Sequence, residues 1–355
     1  MSAPKILIVG AGPTGLAAAI ELARAGIIPT IIDRKSGPSG LSRAVGILPA
    51  TMHSLHPSGA APKIAAAAVR ISGMRIHKGA QQLLHLPLPI CDDPYHQMFG
   101  LPQNQTEAIL RETFETLGGH VNFGQSLTSI SQNDHTVTAL IEDASQTFDY
   151  VIAADGIHSR IRRGLSLDYR GFDAPGEWSI ADVEVSSLRD HAAARVFLLP
   201  AGKAALILPL SETRIRIVSN LSDALGAIPI PLDITKTYRT GTFTVSVRQI
   251  ERYRAGRVFF AGDAAHCHSP IGGRGMNLGI VDAVDLAGRF ASGDLDGYHN
   301  SRHSEGKRIM DFSENARATL TSKNKLTRAA AFTAMRVANH LPLLKRKAVE
   351  NMLTL

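Results

Sequence analysis

The 355-residue sequence predicts an α/β fold, in which a parallel sheet is interrupted by antiparallel strands and followed by C-terminal helices. Three observations support this prediction. The chain opens with a strand, a glycine-rich turn, a helix and a second strand. Short alternating apolar segments occur twice further along, and helical periodicity fills the last part of the chain. The composition, with 44% apolar and 19% charged residues, is that of an ordinary globular protein.

The N-terminal segment predicts a β-α-β unit. Lys5–Gly10 is an apolar run typical of a buried strand, and Pro29–Asp33 has the same character. Between them, Thr14–Ala25 has the apolar spacing of a helix, which Gly26 ends. Because parallel neighbours are joined by right-handed crossovers, this unit predicts a parallel sheet.

The middle of the chain predicts antiparallel strands around one further helix. Alternating segments fill Val69–Leu101, and Asn104–Leu117 returns to helical spacing with Asn104 and Glu107 placed as a capping box. A second group of strands is predicted at Trp178–Val185, Arg195–Leu199, Lys203–Leu210 and Thr213–Ser219. We therefore expect a discontinuous parallel-sheet domain at 1–70, 102–172 and 250–297, an antiparallel-sheet domain at 71–101 and 173–249, and a helical segment at 298–355.

The net charge of +7 is concentrated near the C-terminus. Between Glu314 and Glu350 the chain has no acidic residue and eight basic ones, namely Arg317, Lys323, Lys325, Arg328, Arg336, Lys345, Arg346 and Lys347. Subtracting these eight from 38 leaves 30 basic against 31 acidic residues, so no nucleic-acid partner is expected. The basic helices either dock on the parallel-sheet domain or make weak peripheral contact with an anionic membrane.

Cysteine and histidine usage predicts no metal site and no disulfide framework. Cys91 and Cys267 are the two cysteines, far apart in sequence. His266 and His268 flank Cys267, but successive residues of an extended segment point to opposite sides. The N-terminus lacks a signal peptide and no apolar run is long enough to span a bilayer, so we expect a cytoplasmic location.

A glycine fingerprint follows the first strand. Gly10, Gly12 and Gly15 have the G-x-G-x-x-G spacing between a strand and a helix, and Pro13 and Thr14 occupy the helix start. The first glycine allows the turn, the second lets a pyrophosphate approach the backbone, and the third lets helix and strand pack closely. Asp33, eighteen residues after Gly15, has the position of an acid that binds a ribose diol. The motif predicts either NAD or FAD; a glycine turn without a ligand is the alternative.

Two later segments have the same strand-then-acid pattern. Tyr150–Ala154 is an apolar strand followed by Asp155-Gly156 and a cluster of arginines, which could reach a phosphate or be solvated. In Arg257–Asn277, an apolar strand ends at Gly262-Asp263 and a His-Ser-Pro turn follows. The glycine-rich stretch Gly272–Gly275 then opens a helix, whose N-terminal amides attract negative charge.

Together these segments resemble the single-component FAD-dependent aromatic hydroxylases, the para-hydroxybenzoate hydroxylase-like flavoprotein monooxygenases, over nearly the whole chain. The resemblance implies a Rossmann-like FAD-binding domain with an inserted antiparallel β-sheet substrate domain and C-terminal helices. It implies FAD contacts at Gly10, Gly12, Pro13, Thr14, Gly15, Asp33, Arg34, Arg43, Gln103, Asp155, Gly156, Gly262, Asp263, Pro270, Gly273, Gly275, Met276 and Asn277. It places His268, Pro270, Gly272, Gly273 and Arg274 around the flavin ring.

The chain departs from the family pattern at two of these positions. Asp33 stands where glutamate is more usual, and Arg274 replaces a frequent glutamine, which we expect to add positive charge near the flavin. We also expect no thioredoxin-like domain of the kind that the phenol hydroxylase branch carries.

The resemblance implies that NADPH or NADH reduces FAD, and that the reduced flavin reacts with O2 to form a C4a-hydroperoxide. This species hydroxylates an aromatic or polyketide-like small molecule. Candidate pocket residues are Met98, Phe99, Trp178, Phe197 and Leu208, for which ordinary core packing is the alternative. No catalytic base and no oligomeric state is predicted. The alternative functions are a related FAD-dependent reductase or epoxidase, and a catalytically idle flavin-binding regulatory protein.

Overall fold

The computed structural model describes residues 3–40, 42, 44–88, 92–188 and 190–355. Arg43 and Cys91 lie outside these residues. The helices of the described chain are α1 Pro13–Arg24, α2 Pro49–Leu55, α3 Ala60–Ala67, α4 Gln103–Thr116, α5 Arg160–Gly164, α6 Gly275–Ser292, α7 Tyr298–Leu320, α8 Lys325–His340 and α9 Pro342–Leu353. Short 3-10 turns occupy Pro200–Gly202 and Gly262–Ala264.

The strands form several sheets. In chain order they are β1 Ile6–Val9, β2 Thr30–Asp33, β3 Gly46–Ile47, β4 Val69–Arg70, β5 Gly73–Lys78, β6 Gln81–Pro87, β7 Phe99–Gly100, β8 Val121–Phe123, β9 Leu127–Gln132, β10 Val137–Ile141, β11 Ala144–Phe148, β12 Tyr150–Ala153, β13 Tyr169–Asp173, β14 Trp178–Val185, β15 Ala193–Leu198, β16 Ala204–Pro209, β17 Arg214–Ser219, β18 Ile234–Phe243, β19 Ser246–Ile250, β20 Arg254–Ala255, β21 Val258–Phe260 and β22 His266–Cys267.

The predicted parallel sheet is confirmed. Its strand order is β20-β21-β12-β1-β2-β8, and every pair in it is parallel except β20–β21 at the edge. The central strands β1 and β12 are apolar and buried except at the half-buried Tyr150, as expected for a sheet covered on both faces. Helix α1 packs against α6 and α4. The ends of β1, β12 and β21 therefore carry the three predicted motifs at one edge of one sheet.

A second, seven-stranded sheet has the order β18-β14-β17-β16-β15-β5-β6. It is antiparallel apart from the β5–β15 pair, which is parallel. Three smaller sheets have the orders β11-β10-β9, β13-β19-β22 and β3-β7-β4. In the last of these, β7 pairs with β3 and β4, so this strand joins the segment 71–101 to the segment up to residue 70.

Helix α4 begins one residue earlier than predicted, and the predicted capping box is wrong. Pro102 occupies the N-cap, and its carbonyl accepts the N–H groups of Gln105 and Thr106. Asn104 therefore lies inside the helix. Glu107 accepts a hydrogen bond from Gln103 Nε2 at 2.8 Å instead. Proline fits this position because its fixed φ is compatible with the start of a helix.

The C-terminal helices pack beside the seven-stranded sheet. Val349 and Leu353 of α9 belong to the same buried apolar cluster as Leu84 and Leu86 of β6, and as Leu278 of α6. Within the residues described, no helix is both long enough and apolar enough to cross a lipid bilayer.

Candidate functional site

The three fingerprint glycines differ in what surrounds them. A Cβ on Gly10, whose φ is +106°, would lie 2.3 Å from the carbonyl oxygen of Ala154, and a Cβ on Gly15 would lie 1.9 Å from that of Gly10. At Gly12 no described heavy atom lies within 4 Å of the corresponding position. Two glycines are thus required by close packing, while the third faces open space. That open space adjoins the N-terminus of α1, where no described side chain caps the helix.

Asp33 lies next to this helix start at the end of β2. Its carboxylate is buried and accepts the N–H groups of Ala11 and Lys35, both at 2.9 Å. A pocket beside it is lined by Ala11, Leu16, Asp33, Lys35, Gly37, Pro38, Ser39, Glu107, Arg111 and Phe123. Arg34, which follows Asp33, is exposed. The acid predicted to bind a ribose therefore forms one wall of a pocket beside the glycine turn.

Glu107 lines the same pocket, and the sequence reasoning missed this role. Burial raises the pKa of its carboxyl above the ordinary value, opposed by the hydrogen bond from Gln103. Arg111 and Lys35 supply positive charge to the pocket wall. The available signal was the i, i+4 spacing of Gln103, Glu107 and Arg111, which puts all three on one face of α4.

Gln103 binds Ser42 and Ala44 in the loop before β3. Its Oε1 accepts the N–H of Ala44 at 3.1 Å, and its own N–H donates to Ser42 Oγ at 2.9 Å. Arg239 Nη1 donates to the carbonyl of Ser42 at 2.8 Å. Arg43 itself, a predicted FAD contact, lies outside the described residues. Gln103 consequently acts on this loop through hydrogen bonds within the protein.

A buried ion pair connects the seven-stranded sheet to the same loop. Arg216 of β17 donates from Nε and Nη2 to the two carboxylate oxygens of Asp182 on β14, each at 2.7 Å. Arg216 Nη1 also lies 3.4 Å from the carbonyl of Ala44. These two residues are cross-strand partners, and both are buried. The two charges within predicted strands were the missed signal, because a buried charge requires a partner.

The residues after β12 are directed into the protein. Asp155 Oδ2 accepts the N–H of Arg160 at 2.7 Å, and burial raises the pKa of this carboxyl above its ordinary value. Arg162 is buried and donates to the carbonyls of Ala264 and Ile157. Its guanidinium also lies 3.7 Å from the centre of the Tyr169 ring. The remaining arginines of the cluster, Arg160 and Arg163, contact Ser126 Oγ and the His158 carbonyl.

These contacts give each arginine of the cluster a partner within the protein, and its reach to a phosphate stays a prediction. All three arginines bind oxygen atoms of the protein itself. Gly156 has a φ of +79°, which suits the turn between β12 and α5. The segment therefore shapes the sheet edge and braces the loop after β21, to which Ala264 belongs.

The Gly262-Asp263 turn packs against helices α1 and α6. A Cβ on Gly262 or on Gly279 of α6 would lie 2.4 Å from Thr14 Oγ1, so the Thr14 side chain fills the space between these glycines. Asp263 is exposed, and its carbonyl accepts the Tyr169 hydroxyl at 3.0 Å.

A buried charge network supports this turn from below. Asp282 of α6 is fully buried, and its Oδ2 lies 2.5 Å from His266 Nε2 and 3.2 Å from the N–H of Gly262. Its Oδ1 accepts Arg302 Nε at 2.7 Å. Burial alone would raise the pKa of the Asp282 carboxyl, but His266 and Arg302 together hold it below the ordinary value. His266 is therefore part of the support for the turn.

The His-Ser-Pro turn leads into the uncapped start of α6. The carbonyl of Pro270 accepts the N–H of Gly273 at 3.0 Å, and Gly272 and Gly273 are exposed with φ of +90° and +62°. No described side chain caps α6, so the amides of Gly275 and Met276 are available to an acceptor. This is a second open helix N-terminus beside the glycine turn of α1.

His268 lies beside this helix start. Its Nδ1 is 3.0 Å from the Ser269 carbonyl, and its buried Nε2 has no hydrogen-bond partner within the described chain. Burial lowers the pKa of the imidazole to about 4, so the ring is neutral at neutral pH. With Nδ1 donating to the carbonyl, Nε2 is left as an acceptor.

Two residues of the predicted cofactor site have side chains that bind other parts of the protein. Asn277 is fully buried: its Oδ1 accepts Leu48 N–H and Thr51 Oγ1, both at 2.8 Å, and its Nδ2 donates to the carbonyls of Gly46 and Gly273. All four hydrogen-bonding positions of the amide are used. The Asn277 side chain therefore holds the loop before α6 against the segment around Gly46, and the contact of this residue with FAD stays a prediction.

Arg274 turns toward the C-terminal helix. Its guanidinium donates to the carbonyls of Asn351 at 2.6 Å and Thr354 at 2.9 Å, and it lies 4.0 Å from the centre of the Phe312 ring. Burial lowers its pKa to about 10. These carbonyls bind the guanidinium without removing its charge, so the expected positive charge near the flavin stays a prediction. Arg274 joins the loop before α6 to α9 and the residues after it.

Side chains along each strand alternate between the two faces of the seven-stranded sheet. Only those on the face toward Ala44 and the parallel-sheet domain can line a pocket between the two sheets. Leu208 pairs with Arg216, so it shares the face that reaches Ala44. Phe197 pairs with Ala205 on the opposite face, in a buried cluster under the segment 221–232, so its pocket assignment is wrong. Phe99 is fully buried in the main core. For both phenylalanines the core alternative holds.

The face of the seven-stranded sheet that is turned toward Ala44 is only partly covered by other residues. Along the central strand β16, Ala205 and Ile207 on the far face are buried, whereas Leu206 and Leu208 on the near face are only half-buried. Val218, the partner of Leu206 on β17, is also half-buried. Half-exposed apolar side chains in the centre of a sheet leave room for an apolar ligand.

The chain belongs to the FAD-binding-domain family, whose model matches residues 4–226 and 211–313. It is 30% identical to 6-methylpretetramide 4-monooxygenase of Streptomyces rimosus, over 97% of this chain and 67% of that protein. It is 30% identical to pentachlorophenol 4-monooxygenase of Sphingobium chlorophenolicum, over 86% of this chain and 63% of that protein. The chain thus spans roughly two thirds of the length of these curated relatives.

Among solved structures, p-nitrophenol 4-monooxygenase from Pseudomonas putida DLL-E4 superposes with a TM-score of 0.89 at 23% identity, over 99% of this chain and 98% of that one. The resemblance to FAD-dependent aromatic hydroxylases, the α/β fold class and the enzyme class of flavoprotein monooxygenase are therefore confirmed.

Proposed function

We propose that the chain uses FAD, O2 and either NADPH or NADH to hydroxylate an aromatic or polyketide-like small molecule. The observation that carries the substrate class is the half-buried apolar face of the seven-stranded sheet, which is turned toward the cofactor domain. The relatives named above act on a pretetramide and on a chlorinated phenol, which supports the same class.

The residues present fit FAD. We assign the ribose of the adenosine to the pocket beside Asp33. The pyrophosphate would bind beside Gly12, where no side chain fills the space. Pro13 has no N–H, so Thr14 and Gly15 would offer their backbone N–H groups to it. The ribityl chain lies beside Gly262 and Asp263. The ring lies against Pro270, Gly272, Gly273, Gly275 and Met276, with His268 next to them.

These assignments follow one sheet edge and imply the domain bounds. The FAD-binding part comprises 1–70, 102–172 and 250–297, which contain every strand of the parallel sheet. The substrate part comprises 71–101 and 173–249, which contain every strand of the seven-stranded sheet, and 298–355 forms the C-terminal helices.

When bound, FAD supplies the oxygen activation and the transfer of oxygen to the ring, with electrons from NAD(P)H. The protein binds and orients it. The N-terminal dipole of α6 stabilises negative charge on the nearby ring edge. The neutral His268 adds no competing charge there. Trp178, which packs with Ile271 in one apolar cluster, keeps water from the space beside the loop.

The test is oxidation of NADPH and NADH by the FAD-loaded protein, with and without a panel of phenols and aromatic polyketides, and with isotopically labelled O2. We expect substrate-stimulated oxidation and label in the product. Bound flavin with no stimulation by any compound favours the idle flavin protein. Stimulated oxidation without label in the product favours the reductase, and label found in an epoxide favours the epoxidase.

A variant pair tests the proposed substrate face. Leu206→Trp fills the half-open space on β16, so we expect FAD retention with loss of substrate stimulation. Thr237→Trp, at an exposed position of the edge strand β18, is the matched control and should leave both unchanged. Full stimulation in Leu206→Trp would place the substrate elsewhere.

A further inference from the structure

An apolar stripe is exposed on α8 and at its junction with α9. Leu326 and Val337 occupy the ends of a helical row with the spacing 326, 330, 333 and 337, and Leu341, Leu343 and Leu344 follow at the junction. Leu326 and Leu343 are each 81% exposed, and the other three are at least 44% exposed. No residue of α8 is fully buried.

The same two helices carry a one-sided charge. Glu314 and Glu350, the nearest acidic residues in sequence, are paired with Arg317 and Arg346. Between these glutamates the chain has basic residues and no acidic ones. Lys325 and Arg336 stand next to Leu326 and Val337 in sequence, and Lys345–Lys347 follows Leu344. The apolar stripe is therefore flanked by positive charge along its length.

The combination of exposed apolar residues and neighbouring basic residues indicates which partner can cover the stripe. A second copy of the chain, docked by a two-fold axis, would bring the same basic residues face to face. A nucleic acid would match the charge but offers no apolar phase to the leucines. An anionic bilayer accepts the leucines in its interfacial region and attracts the lysines and arginines to its headgroups. We propose that α8 and α9 dock the protein on an anionic phospholipid surface.

The helices can dock without leaving the fold, because their other side is held by the protein. Met335 and Ala338 pack into the apolar cluster that contains Leu84 and Leu86. Asn339 Oδ1 accepts the N–H of His85 on β6 at 3.1 Å. Arg328 Nη2 donates to the carbonyl of Leu199 at 2.6 Å. Docking would bring the β5–β6 edge of the seven-stranded sheet close to the bilayer.

The experiment is co-sedimentation of the full FAD-loaded chain with vesicles of phosphatidylcholine alone or with added phosphatidylserine. We expect binding to the anionic vesicles only, weakened by salt. The double variant Arg336→Gln/Lys347→Gln should lower the partition coefficient roughly 30-fold, from two lost charges. Leu343→Ser should lower it roughly tenfold or more, from one lost apolar side chain.

Matched controls carry the same changes away from the stripe. Arg70→Gln/Lys236→Gln removes two exposed charges elsewhere, and Ile28→Ser removes an exposed apolar side chain on the other part of the molecule. Thermal unfolding checks that all variants fold. No binding to anionic vesicles at low salt, or equal loss in stripe and control variants, would overturn the proposal. So would a dimer that Leu343→Ser converts to monomer. These outcomes are independent of NAD(P)H oxidation, so they leave the proposed activity untouched.

Discussion

Replacing Asp282 by asparagine should destabilise the fold and weaken the cofactor turn together. The carboxylate is fully buried and binds His266, Arg302 and the N–H of Gly262. An asparagine keeps the size of the side chain but leaves the Arg302 guanidinium buried without its counter-charge. Removing one partner of a buried ion pair costs about 3–5 kcal/mol, so the free energy of unfolding should fall by that amount.

The assay is urea unfolding of the protein without FAD, followed by FAD titration in the absence of urea. Asp285→Asn is the matched control on the same helix, since Asp285 pairs with Arg289 at a partly exposed site. Its loss should cost less than about 1 kcal/mol. FAD dissociation constants should rise about fivefold in Asp282→Asn, from the weakened bond to Gly262, and stay constant in Asp285→Asn. Equal destabilisation by the two variants would refute the reasoning.

The Asp282 carboxyl should also make the free energy of unfolding depend on pH in the acid range. Its pKa is lower in the folded protein than in the unfolded chain, so the unfolded state binds the proton more readily. The contribution of Asp282 is therefore complete above its unfolded pKa of about 4 and is lost as the pH falls through the lower folded value. A plot of unfolding free energy against pH should be flatter below about pH 4 in Asp282→Asn than in the wild type.

Three further predictions concern the glycine turn and the loop before α6. Gly12→Ala should weaken FAD binding but change the unfolding free energy without FAD by less than about 1 kcal/mol. Gly15→Ala should lower that free energy by about 1–3 kcal/mol, because its Cβ would clash with the Gly10 carbonyl. Denaturant titration measures the stability and flavin fluorescence measures the binding. Asp263→Ala should raise the FAD dissociation constant roughly tenfold or more, with the exposed Asp296→Ala as its control, and unchanged flavin retention would contradict the assignment. Arg274→Met should speed amide exchange in residues 342–355 while leaving the flavin spectrum unchanged, because its guanidinium binds carbonyls of that segment; a shifted spectrum with protected amides would reverse this conclusion.

The sequence was sufficient for the fold and for bringing the three motifs to one edge of one sheet. Periodicity and glycine spacing placed β1, α1 and β2 to within a residue or two, because these elements are determined by local steric and apolar patterns. The motifs after β12 and β21 could be brought to the same place because the carboxyl ends of parallel strands share one edge of a sheet.

What sequence could not supply was the direction of individual polar side chains. Asn277 and Arg274 belong to a glycine-rich segment at the cofactor edge, yet one amide is used up by the segment around Gly46 and the guanidinium by α9. Both partners are distant in sequence, and neither leaves a local signal. Arg216 and Asp182 are visible in the sequence as charges within predicted strands, but their pairing depends on strand register, which the sequence does not give.

These contacts divide the glycine-rich segment into two physical roles. Its glycines and the first amides of α6 face outward and carry no side chain that competes for them, which is what a flat, electron-rich ring requires. Its two large polar side chains, Arg274 and Asn277, point away and hold the loop on either side. A loop that binds through its backbone must be fixed by its side chains, because free amides orient a ligand only as well as the loop itself is held. The substitution of Arg274 for the frequent glutamine is therefore expected to alter the attachment of the C-terminal helix before it alters the cofactor.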